Sequence, residues 1–308
     1  MGRYIARRLL LMIPVLIGTT FLIYAMAWAV PGDPFASRCG QRPCPEAFVQ
    51  AETERLHLDQ PLPVQYGHFL LNMVQGDFGT TFSGDTVLEA VSKAFPITVK
   101  LTVVAILFEL ILGIGIGTIA ALRRGGYLDG FFLFTSLVAI SFPSFVIGYV
   151  LQYLLGVKAG LFSVTVAAGA PWGDLILPGF VLASLSLAYV LRLTRASMLE
   201  TLQADHVRTA IAKGLPKSMI LRKHVLRNSL IPVITYIGAD VGALLGGAIV
   251  TEGVFNIQGI GGLIFHALRI RENGTVVGVT TLVVLVILFV NLLVDLLYAR
   301  LDPRIRYE

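Results

Sequence analysis

The chain has 308 residues, of which 56% are hydrophobic and only 14% charged, with a mean hydropathy of +0.78 and a formal net charge of +5. Average soluble domains are about 25% charged, so this composition excludes an ordinary soluble domain. The small positive balance is a poor basis for nucleic-acid binding, because the basic residues follow membrane topology instead.

About 18 or more apolar residues are needed to cross the hydrocarbon core. Three runs meet that length with no charge: residues 9–30, 131–157 and 274–294. Three others are weaker: 101–122, interrupted by Glu109; 175–191, at the short limit; and 228–251, interrupted by Asp240. The expectation is an all-α integral membrane protein with six transmembrane helices. The runs lack the period-2 alternation of barrel strands, and helices satisfy their backbone within lipid. The first run is longer than a signal-peptide core of about 7–15 residues, and no small-x-small site follows it. It is read as a retained helix, residues 1–30.

Residues 31–96 form a predicted extracytoplasmic cap. Pro31, Pro34, Pro43, Pro45, Pro61 and Pro63 punctuate its first half, and a helical patch follows from Glu46. The only two cysteines, Cys39 and Cys44, lie here. A local disulfide is favoured over two free thiols in an oxidising exterior, and two ligands alone make a poor zinc site. Gly76-Asp77-Phe78-Gly79 reads as a turn, and Pro96 as a kink at the interface. His57 and His68 are eleven residues apart, which suits surface histidines better than a ligand pair.

No Gly-Lys dipeptide occurs, so the Walker phosphate loop is missing, as are the GxGxxG, GxSxG and HExxH signatures. No catalytic residue and no metal ligand is assigned, and the chain is not expected to be an enzyme. Glu109 and Asp240 sit within predicted spans without an evident partner, as structural groups or as markers of a substrate path. Gly113/Gly117 and Gly242/Gly246 have the spacing that lets helices approach closely, which also arises by chance among 31 glycines.

Charge sets the expected orientation. Sixteen of the 24 Lys and Arg residues fall on the side shared by both termini, against three in the short loops opposite. Both termini are therefore expected in the cytoplasm. Eight of the sixteen lie in the loop 192–227, which contains "DHVRTAIAKGLPKSMILRKHVLRNS", residues 205–229. Asp205 is a candidate N-cap for a short helix. Val207, Ala210, Ile211 and Gly214 fall on one apolar stripe, with Arg208, Thr209, Ala212 and Lys213 on the flanks. Gly214 suits the left-handed position that ends a helix, and Pro216 can open the next. So short a helix is unstable alone; its stripe needs a protein surface or a headgroup layer.

These residues resemble the ATPase-coupling loop of bacterial ABC importer permeases, in the form found in the dipeptide/oligopeptide/nickel group. Ala210 and Gly214 match the Ala-x-x-x-Gly core. Arg208 stands where many importers have glutamate, and Leu230-Ile231-Pro232 lies farther from Gly214 than in the sugar and amino-acid importers. The resemblance extends along the chain: the Pro31-Gly32-Asp33-Pro34 turn, "AALRRGGYLDGFF", "SFPSFVIG", "TEGVFNIQGIGGLIFHAL" and "VDLLYARLDPRIR", where Asp295, Asp302 and Pro303 match. Gln258 replaces the group's usual proline before a re-entrant turn.

The resemblance implies a type I importer permease fold in the bacterial inner membrane. Its permease domain would be 97–298 and its cytoplasmic tail 299–308. Asp205, Val207, Arg208, Thr209, Ala210, Ile211, Lys213, Gly214 and Leu215 would couple to ATPases. The implied partners are a homologous second permease, two ATP-binding subunits, an extracytoplasmic substrate-binding protein and the lipid bilayer. No cofactor belongs to this chain; ATP and Mg would be bound by partner subunits. Di- or oligopeptides are the expected cargo, with nickel chelates or haem as alternatives. Ser141, Ser144, Ser184, Ser186 and Asp240 are candidates to line the path, although serines in spans more often bond neighbouring helices. An ATP-independent carrier or channel is the rival class; it would leave the basic loop unexplained and predicts internal repeats that are not found.

Overall fold

The computed structural model describes residues 2–28, 39 and 44–301. The Pro31–Pro34 turn and the closing Asp302 and Pro303 lie outside these residues. Among the described residues the chain is helical, with one isolated β-bridge between Thr80 and Thr86.

In chain order the helices are α1 (Gly2–Trp28), α2 (Glu46–Arg55), α3 (Leu62–Val74) and α4 (Val87–Phe108). A π-helical turn, Glu109–Gly113, leads from α4 into α5 (Ile114–Leu122). Next come α6 (Tyr127–Ser141) and α7 (Ser144–Leu151), which ends in a π-helical stretch, Gln152–Lys158. α8 (Ile176–Gln203) and α9 (Asp205–Ala212) follow. α10 (Lys217–Met219) passes through π-helical Ile220–Leu226 into α11 (Arg227–Phe255), and α12 (Ile260–Arg269) and α13 (Asn273–Leu301) complete the series.

Five segments are long and apolar enough to cross a membrane: Ala6–Trp28, Val87–Leu122, Ile176–Gln203, Lys217–Gly246 and Asn273–Leu296. The sixth expected run is broken. Its halves, Tyr127–Ser141 and Ser144–Lys158, diverge by 106°. Phe142 is extended (φ −105°, ψ 137°) because the ring of Pro143 disfavours the helical region for the residue before it. A second broken pair, Ala248–Phe255 and Ile260–Arg269, occupies the region of the expected re-entrant turn. There α11 stops at Asn256, which is left-handed at φ 51°.

Helix ends and hydropathy ends do not coincide. α4 starts fourteen residues before the apolar run at 101, and Pro96 lies inside it. α8 continues to Gln203, so the first third of the expected charged loop 192–227 is helix. Hydropathy marks where lipid stops, whereas a helix continues as long as its residues favour it and its inner face is packed. Thr194 and Met198, fully buried on α8, show that packing.

The chain divides into two compact units. One comprises Met1–Thr98 and Gln258–Glu308. In it α1 packs on α13 and α3, and α12 packs on α13. Tyr24, Tyr66 and Val277 form its apolar centre, Thr20 and Tyr66 share a 2.8 Å hydrogen bond, and Arg8 pairs with Asp295 at 3.1 Å. Cys39 and Cys44 are joined by a disulfide, with Cα atoms 5.3 Å apart. Gly76 and Gly79 take positive φ in the expected turn, where Asp77 accepts a 2.9 Å bond from the Gly79 amide. His57 and His68, far apart in sequence, stack with ring centroids 4.1 Å apart. They line a cavity of about 280 Å³ together with Tyr24, Trp28, Asp77 and Glu272.

The other unit, Val99–Ile257, is built around α8. α5, α6, α7 and α11 all pack on it. Two glycines beside and within α5 permit close approach to α8. A Cβ on Gly113 would lie 2.7 Å from Val190, and one on Gly117 would lie 2.6 Å from the Leu191 carbonyl oxygen. The Gly113/Gly117 spacing, ambiguous in sequence, is thus a packing face.

Candidate functional site

The basic segment forms an anchored short helix. α9 begins at Asp205, and Ala204 holds the cap position with no side-chain bond. Asp205 is therefore not the N-cap anticipated from sequence. It occupies the first turn, where its negative charge still suits the positive helix end, and it lies 3.7 Å from Arg208 in an exposed pair. The C-terminal end matches the expectation. Gly214 has φ 72°, its N–H bonds the Ile211 carbonyl at 2.9 Å, and the Leu215 N–H reaches the Ala210 carbonyl at 3.3 Å. That double bonding is the Schellman arrangement. Pro216 sits at the cap position before α10.

The apolar stripe is divided between two environments. Val207 (1% exposed) and Ala210 (4%) point into a cluster with Ala121, Met198, Ile220 and Val225, and Leu215 packs against it. Ile211 is 59% exposed, and Arg208, Thr209, Lys213 and Gly214 are exposed as well. Of the two surfaces expected, a protein one covers the stripe, and it is supplied by the same chain. Beside it, His206 Nε2 lies 3.1 Å from Asn228 Nδ2 and 3.3 Å from the His224 carbonyl oxygen. The helix is thereby fixed to the base of α11. What remains outward is a largely cationic face on which Ile211 is the one large apolar residue.

A second polar site lies within the spans. Glu109, at the π-helical turn, is fully buried. It faces Asp240 and Ser186, although neither Glu109 oxygen nor Asp240 Oδ2 meets full hydrogen-bond geometry. Tyr236 borders the same cluster and stacks on Tyr189 with centroids 4.4 Å apart. Glu109 and Asp240 are each other's neighbour, a pairing that no sequence spacing could reveal; Tyr189 and Tyr236 escape sequence reasoning for the same cause. Of the candidate path residues, Ser186 and Asp240 come together here. Ser184 is buried and donates to Val181 of its own helix at 2.7 Å. Ser141 donates to Leu137 at 2.8 Å, and it flanks the Phe142–Pro143 break together with Ser144. Among the described residues no three His, Cys, Asp or Glu side chains gather as a metal set.

Several helices long and apolar enough to cross a membrane, with an anchored basic element and a polar cluster within the spans, define a multi-pass membrane protein. Residues 113–307 match the family model described as binding-protein-dependent transport system inner membrane component, and residues 1–102 match its N-terminal counterpart. The chain belongs to this family of bacterial inner-membrane ABC importer permeases. It is 35% identical over 331 residues to the dipeptide transport system permease protein DppB of Alkalihalophilus pseudofirmus, covering 99% of each chain. It is 38% identical over 309 residues to the glutathione transport system permease protein GsiC of Pectobacterium atrosepticum, and 38% identical over 339 residues to DppB of Escherichia coli K12. Both of these matches cover the whole of each chain.

Proposed function

We propose that the chain forms half of the translocation path of an ATP-driven importer for di- and oligopeptides, completed by a homologous second permease. An extracytoplasmic binding protein would deliver cargo, and two cytoplasmic ATP-binding subunits would hydrolyse ATP with Mg. The observation that carries this reading is the division of α9. Its inner face is locked to the bundle while its outer face, Arg208, Thr209, Ile211 and Lys213, is left open to a partner. A helix fixed in this way transmits displacement instead of absorbing it. Closure of the ATP-binding subunits would push α9 and switch the bundle between two packed arrangements. The headgroup alternative is weaker, because a membrane-lying helix presents its apolar stripe to lipid, and here Val207 and Ala210 face protein.

The cargo assignment draws on full-length relatives named for dipeptides and glutathione. Asp240 and Ser186 suit a peptide's ammonium and amide groups, and both termini would lie in the cytoplasm. The test is uptake of a labelled dipeptide by vesicles holding the assembled complex. Gly214→Glu places a side chain at φ 72° and a negative charge on the cationic face; it should abolish uptake while the chain still inserts in the membrane. Normal uptake by that variant would remove the docking reading.

A further inference from the structure

One ion pair outside the sites above joins elements that the coupling reading requires to move together. Asp129, in the first turn of α6, is 3% exposed. Its Oδ1 accepts from Arg195 Nε at 2.6 Å and its Oδ2 from Arg195 Nη2 at 2.8 Å. The Gly125 N–H donates to Oδ2 at 2.9 Å. Gly125 lies in the turn 123–126 between α5 and α6, left-handed at φ 75°, and Gly126 N–H closes that turn onto the Arg123 carbonyl at 2.9 Å. Arg195 belongs to α8, and only 21% of its side chain is exposed. One carboxylate therefore binds the α5–α6 turn, the start of α6 and the side of α8.

Its position on α8 gives this pair a role. Met198, three residues beyond Arg195, is fully buried in the cluster that anchors Val207 and Ala210 of α9. Ala121, at the end of α5, belongs to the same cluster. The clamp and the anchor thus sit one helical turn apart on one helix and share the same two neighbours, the α5 end and α8. We propose that Asp129 and Arg195 are positioning residues that force α6 to follow α9, so that nucleotide-driven displacement reaches the broken span of α6 and α7. The proposal rests on the coupling reading of α9.

A stabilising role alone does not account for the arrangement. Replacing a buried ion pair by apolar residues is often neutral or favourable, so such a pair is weak evidence for stability. Two parallel N–H donors meeting one carboxylate instead fix relative orientation, which an ammonium or an apolar contact does not.

The test uses the complete assembly with its partner permease, ATP-binding subunits and binding protein in lipid. Spin-label distances are measured with and without ATP trapped, from a common reference on the partner permease to Lys213 beyond α9 or to Tyr127 of α6. Tyr127 is 99% exposed, so a label there disturbs no packing. In the unmodified chain both distances should change. Arg195→Gln should leave the change at Lys213 intact and reduce that at Tyr127 by about half or more, within the range seen for residues on a coupling route. If Arg195→Gln fails to assemble, Arg195→Lys, which keeps the charge and loses the paired donors, carries the same prediction. Equal changes at Tyr127 in variant and unmodified assemblies would overturn the clamp. Absence of change at Lys213 in the unmodified assembly would instead overturn the coupling reading beneath it.

Discussion

Gly117 and Gly214 both lack a side chain, yet the fold needs that lack for different reasons. At Gly117 the need is space. An added methyl would meet the Leu191 backbone carbonyl and the Thr194 Cβ, at 2.6 and 2.7 Å. A backbone atom cannot swing aside, so Gly117→Ala should cost about 1–3 kcal/mol by overpacking. Gly115, two residues away, is the control, since a methyl added there would find no atom within 4 Å. Gly115→Ala should leave the thermal midpoint of the purified complex unchanged or raise it, since alanine favours a helix over glycine, whereas Gly117→Ala should lower it. Equal midpoints would show that α5 and α8 are not in close contact. At Gly214 the need is conformation, and that need is legible in sequence: a glycine ending an apolar stripe before a proline is a local signal. The cap expected at Asp205 falls one position earlier, at Ala204, since an acidic residue favours both the cap and the first turn. Glu109 and Asp240 stand out singly as charges within apolar runs, but nothing local links residues on different helices.

For whole elements, the apolar runs locate the spans and miss their ends. The α8 extension past residue 191 and the α4 start at Val87 fall outside the uncharged apolar runs, so a run-length criterion misses them. The signal for the break at Phe142–Pro143 is present in the letters, as a proline after an aromatic residue inside a 27-residue run, but run length alone passes over it. The α9 stripe is legible as a stripe but not as two faces, because periodicity says which residues align and not what they meet. That division has a consequence for mutants. Val207→Asp would bury an unpaired charge and should cost about 3 kcal/mol or more, seen as protease sensitivity of residues 204–216. Ile211→Asp should leave the loop resistant and reduce recovery of ATP-binding subunits on the tagged chain. Loss of both properties in both variants would mean that α9 has no separate inner and outer face.

As a whole molecule, the chain is a multi-pass membrane permease with a basic helix mounted on its own core. Class and family are legible because they are written in composition, in the basic segment and in motifs spread over the length. The pathway is less legible, because a path is a surface made by several helices whose side chains meet only in the fold. The proposed coupling turns on what touches α9. The two cysteines are paired with each other, so a single Ile211→Cys substitution offers one reactive thiol for a photo-crosslinker. In the assembled complex this position should crosslink to an ATP-binding subunit, with a yield that changes when nucleotide is trapped. Crosslinks to lipid alone, or none to that subunit, would contradict a force-transmitting α9.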